Sequence, residues 1–291
     1  MPERDWMAAQ FEEHRPRLRA VAHRMLGSLG EADDALQDAW LRIDRADTSG
    51  VENPGGWLTT VVARVCLNLL RAREARREEE LAADRIPAAS ARAVDPEEEA
   101  LLADSVGLAL LIVLDTLAPA ERLAFVLHDM FQVPFDEIAP MIDKTPATTR
   151  QLASRARRRV KGAPAPTGDA SRRHRVVHAY LAATRGGDFD ALLALLHPDV
   201  VLHADRAVVP TPEPVLVRGA RPVAEGAMAS LGRARSAALV LIDGEVGMAM
   251  LEEGRLRVLL RFTFDGDLIR EIDVVAEPER LRKAQVAVAE G

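Results

Sequence analysis

Cysteine is almost absent from this chain, since Cys66 is the only one among 291 residues. A single thiol excludes an intrachain disulfide. Cys66 lies beside Val65 and Leu67 in a helical pattern of apolar residues, so we expect a buried packing residue. We therefore assign this thiol neither a catalytic nor a redox role.

Long apolar runs and common cofactor motifs are also missing. No stretch approaches the ~20 apolar residues that a membrane-spanning helix requires. Residues 1–5 contain no basic segment followed by an apolar stretch, so we expect no secretory signal and a cytoplasmic protein. The sequence has no glycine-rich phosphate loop, and its seven histidines are dispersed rather than spaced as metal ligands. We expect no membrane association, no cofactor and no metal.

The residues that are present indicate a globular protein of several units, with 48% hydrophobic and 29% charged residues. At this length, two or three units of roughly 100 residues are expected. Residues 78–104 carry nine acidic and two basic residues, and residues 162–168 are rich in proline, alanine and glycine, so both predict linkers. The predicted layout is a helical unit at 5–80, an acidic linker at 81–104, a second helical unit at 105–162, a linker at 163–170 and an α+β unit at 171–291.

A basic stretch stands out against the formal net charge of -7, because Arg150 to Lys161 contains six basic and no acidic residues. Residues 134–142 predict a short scaffold helix and residues 143–144 a turn. Thr145 is expected to cap a second helix that begins at Pro146. This is the pattern of a helix-turn-helix, in which the second helix enters the major groove of DNA. A solvated basic helix is the alternative, and the motif's own apolar residues disfavour it.

Within the second helix, hydroxyl, guanidinium and amide groups near the N-terminus can reach base edges. The later arginines are better placed for phosphates. The residues that we expect to contact DNA here are Thr145, Pro146, Thr148, Thr149, Arg150, Gln151, Ser154, Arg155, Arg157 and Arg158.

Two segments of the first unit resemble one protein family. GEADDALQDAWLR at 30–42 and WLTTVVARVCLNLLR at 57–71 are similar to conserved region 2 of the extracytoplasmic-function sigma factors. Residues 114–161 are similar to region 4 of the same family, in the same order. The resemblance implies two all-α domains, a region 2 helical bundle and a region 4 helix-turn-helix, which together bind core RNA polymerase and promoter DNA.

The resemblance also implies roles for individual residues. Region 4 would read the minus-35 element and contact the β flap of core polymerase. An acidic and apolar helix of region 2 would dock on the β′ clamp, and carboxylates beside an apolar stripe suit a basic amphipathic partner. The helix residues implied in this docking are Asp33, Asp34, Leu36, Gln37, Asp38, Trp40 and Leu41.

Region 2 would also open and read the minus-10 element through a loop and helix at about 44–77. A flipped base needs a pocket, and an exposed strand needs cations. The residues expected here are Trp57, Arg64, Asn68, Arg71 and Arg73. The pattern leaves two roles open for Trp57, a core residue or a stacking platform. The acidic linker likewise has two open roles: threading the polymerase RNA-exit path, or serving as a solvated tether.

The last unit resembles a SnoaL-like domain, the cone-shaped fold of polyketide cyclases and ketosteroid isomerase. The resemblance is carried by residues 176–181 and 187–200, by the late paired strands, and by residues 276–281, which are like the signature near the end of a sigma-factor subgroup with this appendage. It implies a cone with a curved antiparallel sheet.

His203 and Asp205, two positions apart, lie at a strand end near the expected mouth of the cone. An imidazole or carboxylate in an apolar pocket is what an isomerase or cyclase needs. Catalysis, binding of a small apolar ligand and a regulatory interface with the sigma units therefore remain open. We favour the regulatory interface, because no second acid or oxyanion donor is identifiable.

The prediction for the whole chain is a non-enzymatic promoter-specificity subunit, tuned by its C-terminal domain. The alternative is a ligand-sensing helix-turn-helix regulator that binds DNA without core polymerase. A fused SnoaL-like enzyme is a third possibility.

Overall fold

The computed structural model describes residues 2–82, 105–161, 169–208 and 213–289. The chain forms two compact units, one of residues 1–89 and 117–158 and the other of residues 90–116 and 159–291. Within the described residues up to 161, the helices are α1 (Pro2–Leu26), α2 (Leu29–Ile43), α3 (Pro54–Ala82), α4 (Ser105–Asp115), α5 (Pro119–Phe125), α6 (Phe135–Ile138) and α7 (Pro146–Lys161). All of these except α4 lie mainly in the first unit.

The first unit is built on the antiparallel helices α1 and α2 and on α3, which packs against both. Apolar side chains at three- and four-residue spacing give each helix one buried face. Gly27, at a φ of 84°, ends α1 and lets the chain turn into α2. Cys66 is fully buried in this core, and burial raises the pKa of its thiol to about 12, which agrees with a packing role.

Residues of the two predicted helical units share this first unit. Arg17 on α1 donates through Nη2 to the carbonyl oxygen of Phe131 at 3.0 Å. Arg122 on α5 is 1% exposed, and its Nε donates to the carbonyl oxygen of Arg24 at 3.3 Å. Residues 117–158 thus pack in one compact unit with the described residues up to 82, and the boundaries at 5–80 and 105–162 stay a prediction.

The second unit is α+β. Its later helices are α8 (Asp169–Gly186), α9 (Phe189–Leu195), α10 (Ala220–Ala229), α11 (Leu231–Ala234) and α12 (Pro278–Lys283). Its strands are β1 (Leu196–Ala204), β2 (Val215–Arg218), β3 (Ala237–Ile242), β4 (Glu245–Glu252), β5 (Arg255–Asp265), β6 (Leu268–Val275) and β7 (Val286–Val288). They form one sheet in the order β2-β1-β6-β5-β4-β3-β7.

The predicted fold class is confirmed, with one correction to the sheet. The sheet was expected to be antiparallel, but β1 runs parallel to β6 while the other pairs are antiparallel. The parallel pair has a topological reason. Strands β3 to β6 form an antiparallel meander, and its last strand, β6, lies beside β1 rather than beside a strand that directly precedes or follows it in the chain. Breaks in register interrupt three of the pairings and bend the sheet.

Both faces of the sheet are covered over part of their area. Inward residues such as Leu260 and Phe262 pack with Val177, Tyr180 and Leu192 of α8 and α9. The opposite face at β3, β4, β5 and β7 is covered by α4, whose Asp115 Oδ2 accepts a hydrogen bond from the backbone N–H of Leu256 at 2.8 Å. The sequence places the residues of α4 in the helical unit at 105–162. In the structure, α4 instead belongs to the α+β unit. Among the described residues, no helix has both the length and the apolarity to cross a membrane.

Candidate nucleic-acid and polymerase interfaces

Helix α7 has a buried face and an exposed cationic face. Thr145 caps it, because the N–H of Thr148 donates to Thr145 Oγ1 at 3.2 Å. Thr149, Ala153 and Ala156 form the buried stripe. The opposite side exposes Arg150, Gln151, Arg155 and Arg158, with Ser154 partly exposed between them. The exposed side is a polar and cationic surface of the kind that DNA grooves accept.

Two residues of the predicted set do not fit a direct contact with DNA. Thr149 is fully buried, and its hydroxyl donates to the carbonyl oxygen of Thr145 at 3.0 Å. Arg157 is held by Asp129, whose Oδ1 lies 2.7 Å from its Nε and 2.6 Å from its Nη2. The helical period explains both, because positions 149 and 157 lie four residues before and after the buried Ala153 and therefore near the packed side of α7.

Helix α3 carries a second exposed stripe. Arg64, Asn68 and Arg71 are all exposed and follow one another at four- and three-residue spacing, so they share one side of the helix. Arg73 lies elsewhere: it forms an ion pair with Glu31, and its Nη1 donates to the carbonyl oxygen of Leu26 at 3.3 Å. Its side chain is only 13% exposed, so it does not fit the predicted role in binding the minus-10 strand.

A recess of about 530 Å³ opens beside the start of α3. Trp57 is partly buried and forms part of its wall. The loop is locally fixed: the N–H and hydroxyl of Ser49 donate to Asp47 Oδ1 at 3.1 and 2.7 Å, and these bonds lower the pKa of Asp47. Asn53 caps α3 through a 3.0 Å bond from the N–H of Gly56.

The sequence did not predict that the loop at 47–53 forms the wall of a recess. The signal was present in the short polar pairs Asp47 with Ser49 and Asn53 with Gly56, which are typical of an Asx turn and a helix cap. These pairs predict local backbone geometry, but only the folded chain brings the loop beside Trp57.

Helix α2 exposes part of the predicted polymerase-docking set. Asp34, Gln37, Asp38 and Leu41 are exposed, and Leu41 is 47% exposed, which is high for a large apolar side chain.

The other three residues of that set have partners within the first unit. Leu36 is 1% exposed and belongs to the core, so it does not fit a docking contact. Asp33 accepts hydrogen bonds from Nε and Nη2 of Arg19 at 2.8 and 3.0 Å. The ring of Trp40 lies 5.2 Å from that of Phe11 and is partly buried.

The predicted pocket pair His203 and Asp205 is divided between different environments. The side chain of His203 is 50% exposed, with Nε2 3.5 Å from Glu271 Oε1. Asp205 is 6% exposed, and its Oδ2 accepts hydrogen bonds from the N–H groups of Ala276 and Glu277, both at 2.9 Å. Asp205 thus joins the end of β1 to the segment after β6. This is a structural role, and it does not fit the predicted pocket.

Two sigma-factor regions are recognised in this chain by comparison with known proteins. The family model for Sigma-70 region 2 matches residues 10–76, and that for Sigma-70 region 4 matches residues 108–160. The probable ECF RNA polymerase sigma factor SigI of Mycobacterium tuberculosis is 39% identical over 208 residues, covering 70% of this chain and 72% of that protein. SigJ of the same organism is 42% identical over 202 residues, covering 68% of this chain and 64% of that protein.

A solved structure also resembles this chain. The crystal structure of M. tuberculosis SigJ matches with 31% identity and a TM-score of 0.45, covering 94% of this chain and 97% of that chain. On the sequence relationship to SigI, which spans more than two thirds of both proteins, this chain belongs to the ECF RNA polymerase sigma factors.

Proposed function

We propose that the exposed stripes on α3 and α7 read the two elements of a promoter for core RNA polymerase. The observation that carries this assignment is that each stripe lies opposite a buried stripe of the same helix. Arg64, Asn68 and Arg71 would bind the melted minus-10 strand, and the α7 face with Arg150 would enter the major groove at the minus-35 element.

The recess beside Trp57 supports the minus-10 assignment. It is an open surface depression between Trp57 and the loop at 47–53, where an extruded base would contact both. An extruded base needs a stacking surface and polar groups for its edge, and Trp57 with Asn53 and Asp47 supplies both kinds of group. We propose that promoter melting is completed when one base of the minus-10 strand enters this recess.

The exposed side of α2 is our proposed contact with the β′ clamp. Leu41 would lose its 47% exposure there, flanked by the carboxylates of Asp34 and Asp38. Burial of a large side chain inside a charged rim is the usual anatomy of a protein interface. We further propose that region 4 contacts the β flap, that the protein acts in the cytoplasm, and that it performs no covalent chemistry.

Helix α4 supports tuning of activity by the C-terminal domain. Most of it, from residue 108 on, falls within the match to Sigma-70 region 4 at 108–160, yet the helix packs on the sheet of the second unit. Leu108, Leu111 and Ile112 are buried there. We propose that the C-terminal domain, with or without a small ligand, tunes activity through this helix, because the helix belongs both to a sigma region and to the packing of the sheet.

Run-off transcription with core polymerase tests the function. The intact chain is compared with chains cut near Lys161 and near Ala276, and with an Arg64→Ala, Arg71→Ala double variant. We expect the double variant to bind core but to lose permanganate reactivity at minus-10 thymines. Arg172→Ala, which removes an exposed cation of α8, is the matched control.

Failure of the intact chain and of every truncation to direct promoter-specific initiation would refute the sigma-factor function. A DNA footprint obtained without polymerase would favour a stand-alone regulator instead. Loss of core binding in the double variant would instead place Arg64 and Arg71 at the polymerase.

A further inference from the structure

Phe135, at the first position of α6, contacts two side chains that come from different elements. Its ring stacks on His128 with 3.8 Å between ring centroids and 27° between planes. The Cζ atom of Arg150 lies over the same ring at 5.4 Å from its centroid. Arg150 is the first arginine of α7 and is exposed to solvent, and a guanidinium over an aromatic face is a favourable cation–π contact.

His128 is itself fixed. Its Nδ1 lies 3.0 Å from the carbonyl oxygen of Val133, and a carbonyl can only accept, so Nδ1 carries the proton. His128 belongs to a π-helical turn, Val126–Met130, which continues α5. Such turns contain an extra residue that redirects neighbouring side chains, and they are frequent at functional sites.

The next residue of the same turn holds the other end of α7. Asp129 pairs with Arg157, seven residues beyond Arg150, at 2.6 to 2.7 Å. Asp129 of the π-helical turn therefore contacts α7 directly, whereas His128 of the same turn supports the Phe135 ring that lies against Arg150. The Phe135 contact involves an exposed arginine, and the Asp129 contact neutralises an arginine that is turned toward the protein.

We propose that Phe135 and His128 are positioning residues that preset Arg150 to recognise a guanine in the minus-35 element. This inference depends on the proposed reading of that element by α7. A guanidinium binds guanine through two parallel hydrogen bonds to O6 and N7, so its plane must match the base edge. N-terminal residues of a recognition helix are those that reach base edges. Stacking on Phe135 restricts the rotamers of Arg150 before DNA arrives and thereby lowers the entropy lost on binding.

The test is promoter discrimination by the full-length protein with core polymerase. Transcription is measured on templates in which each minus-35 position carries each of the four bases. Arg150→Ala should lower the preference for guanine at one position by about tenfold. Phe135→Leu keeps an apolar side chain without the ring, and we expect it to lower the same preference about two- to fivefold, as does His128→Leu. Phe135→Tyr keeps the ring and should retain the preference.

A double-mutant cycle separates positioning from general stability. In an Arg150→Ala background, Phe135→Leu should have no further effect on base preference. An equal fall in activity on every template, or a further loss of preference in that background, would overturn the positioning role while leaving minus-35 reading intact. If Arg150→Ala, Gln151→Ala and Arg155→Ala all leave base preference unchanged, both the proposed reading by α7 and this inference are wrong.

Discussion

The first unit should lose stability in mild acid because of one buried histidine. His23 on α1 is 9% exposed, and burial, followed by the charges of Arg24, Arg19 and Arg122, lowers its pKa from 6.5 to about 4. Between these two values the unfolded chain binds a proton that the native protein excludes. Stability therefore rises with pH across this window and falls on acidification.

The expected change in the free energy of unfolding follows from the two pKa values. A drop from 6.5 to about 4 corresponds to about 3 kcal/mol in total, of which about 2 kcal/mol is lost between pH 7 and pH 5. Urea unfolding, monitored by tryptophan fluorescence, measures this change in the free energy of unfolding of the first unit. All three tryptophans, Trp6, Trp40 and Trp57, belong to the first unit.

The comparison that isolates His23 uses two variants. His23→Gln should remove about 2 kcal/mol of the difference between pH 7 and pH 5, because glutamine does not titrate. His178→Gln, at an exposed position of α8, should keep the pH dependence of the natural protein. If His23→Gln and the natural protein lose the same free energy of unfolding on acidification, the imidazole is not excluded from protonation and the reasoning is wrong.

Three further predictions concern the second unit; hydrogen exchange of its strands measures the change in stability for each, and limited proteolysis of α4 is added for the third. Asp205→Ala should cost about 3 kcal/mol, since two backbone N–H groups lose a carboxylate acceptor, and a loss below 1 kcal/mol would contradict the role assigned to it. Gly247→Ala should cost about 2 kcal/mol, because a Cβ there would lie 2.6 Å from the carbonyl oxygen of Leu260, whereas Gly226→Ala on α10 meets no atom within 4 Å and should be neutral or stabilising. Leu111→Ala should cost about 2 to 4 kcal/mol and make α4 more sensitive to protease; unchanged protease cleavage would mean that α4 does not depend on the sheet.

Local sequence was sufficient for much of the fold. The hairpin turns at Asp243-Gly244 and Glu253-Gly254 have positive φ at both residues, as aspartate or glutamate followed by glycine between alternating strands predicts. The cap of α7 at Thr145 also agrees with the prediction. These features depend on neighbouring residues only, so a one-dimensional pattern contains the needed information.

Contacts between residues that are distant in the sequence could not be predicted from these local patterns. Asp205 looked like one half of a pocket, but its partners lie some seventy residues later, at Ala276 and Glu277. Arg73 has the charge expected of a DNA contact, but it forms an ion pair with Glu31. In both cases the sequence shows a charge, whereas only the fold shows which opposing group or N–H neutralises it.

The sequence alone therefore determined the family resemblance, the cationic α7 helix and the α+β character of the last unit, because these follow from composition and short-range spacing. Tertiary structure decided which cations stay exposed. It also decided that α4 packs on the sheet and that a π-helical turn holds α7 through His128, Phe135 and Asp129. The physical reason is that a side chain's availability depends on neighbours distant in sequence, and these are fixed only when the cores form.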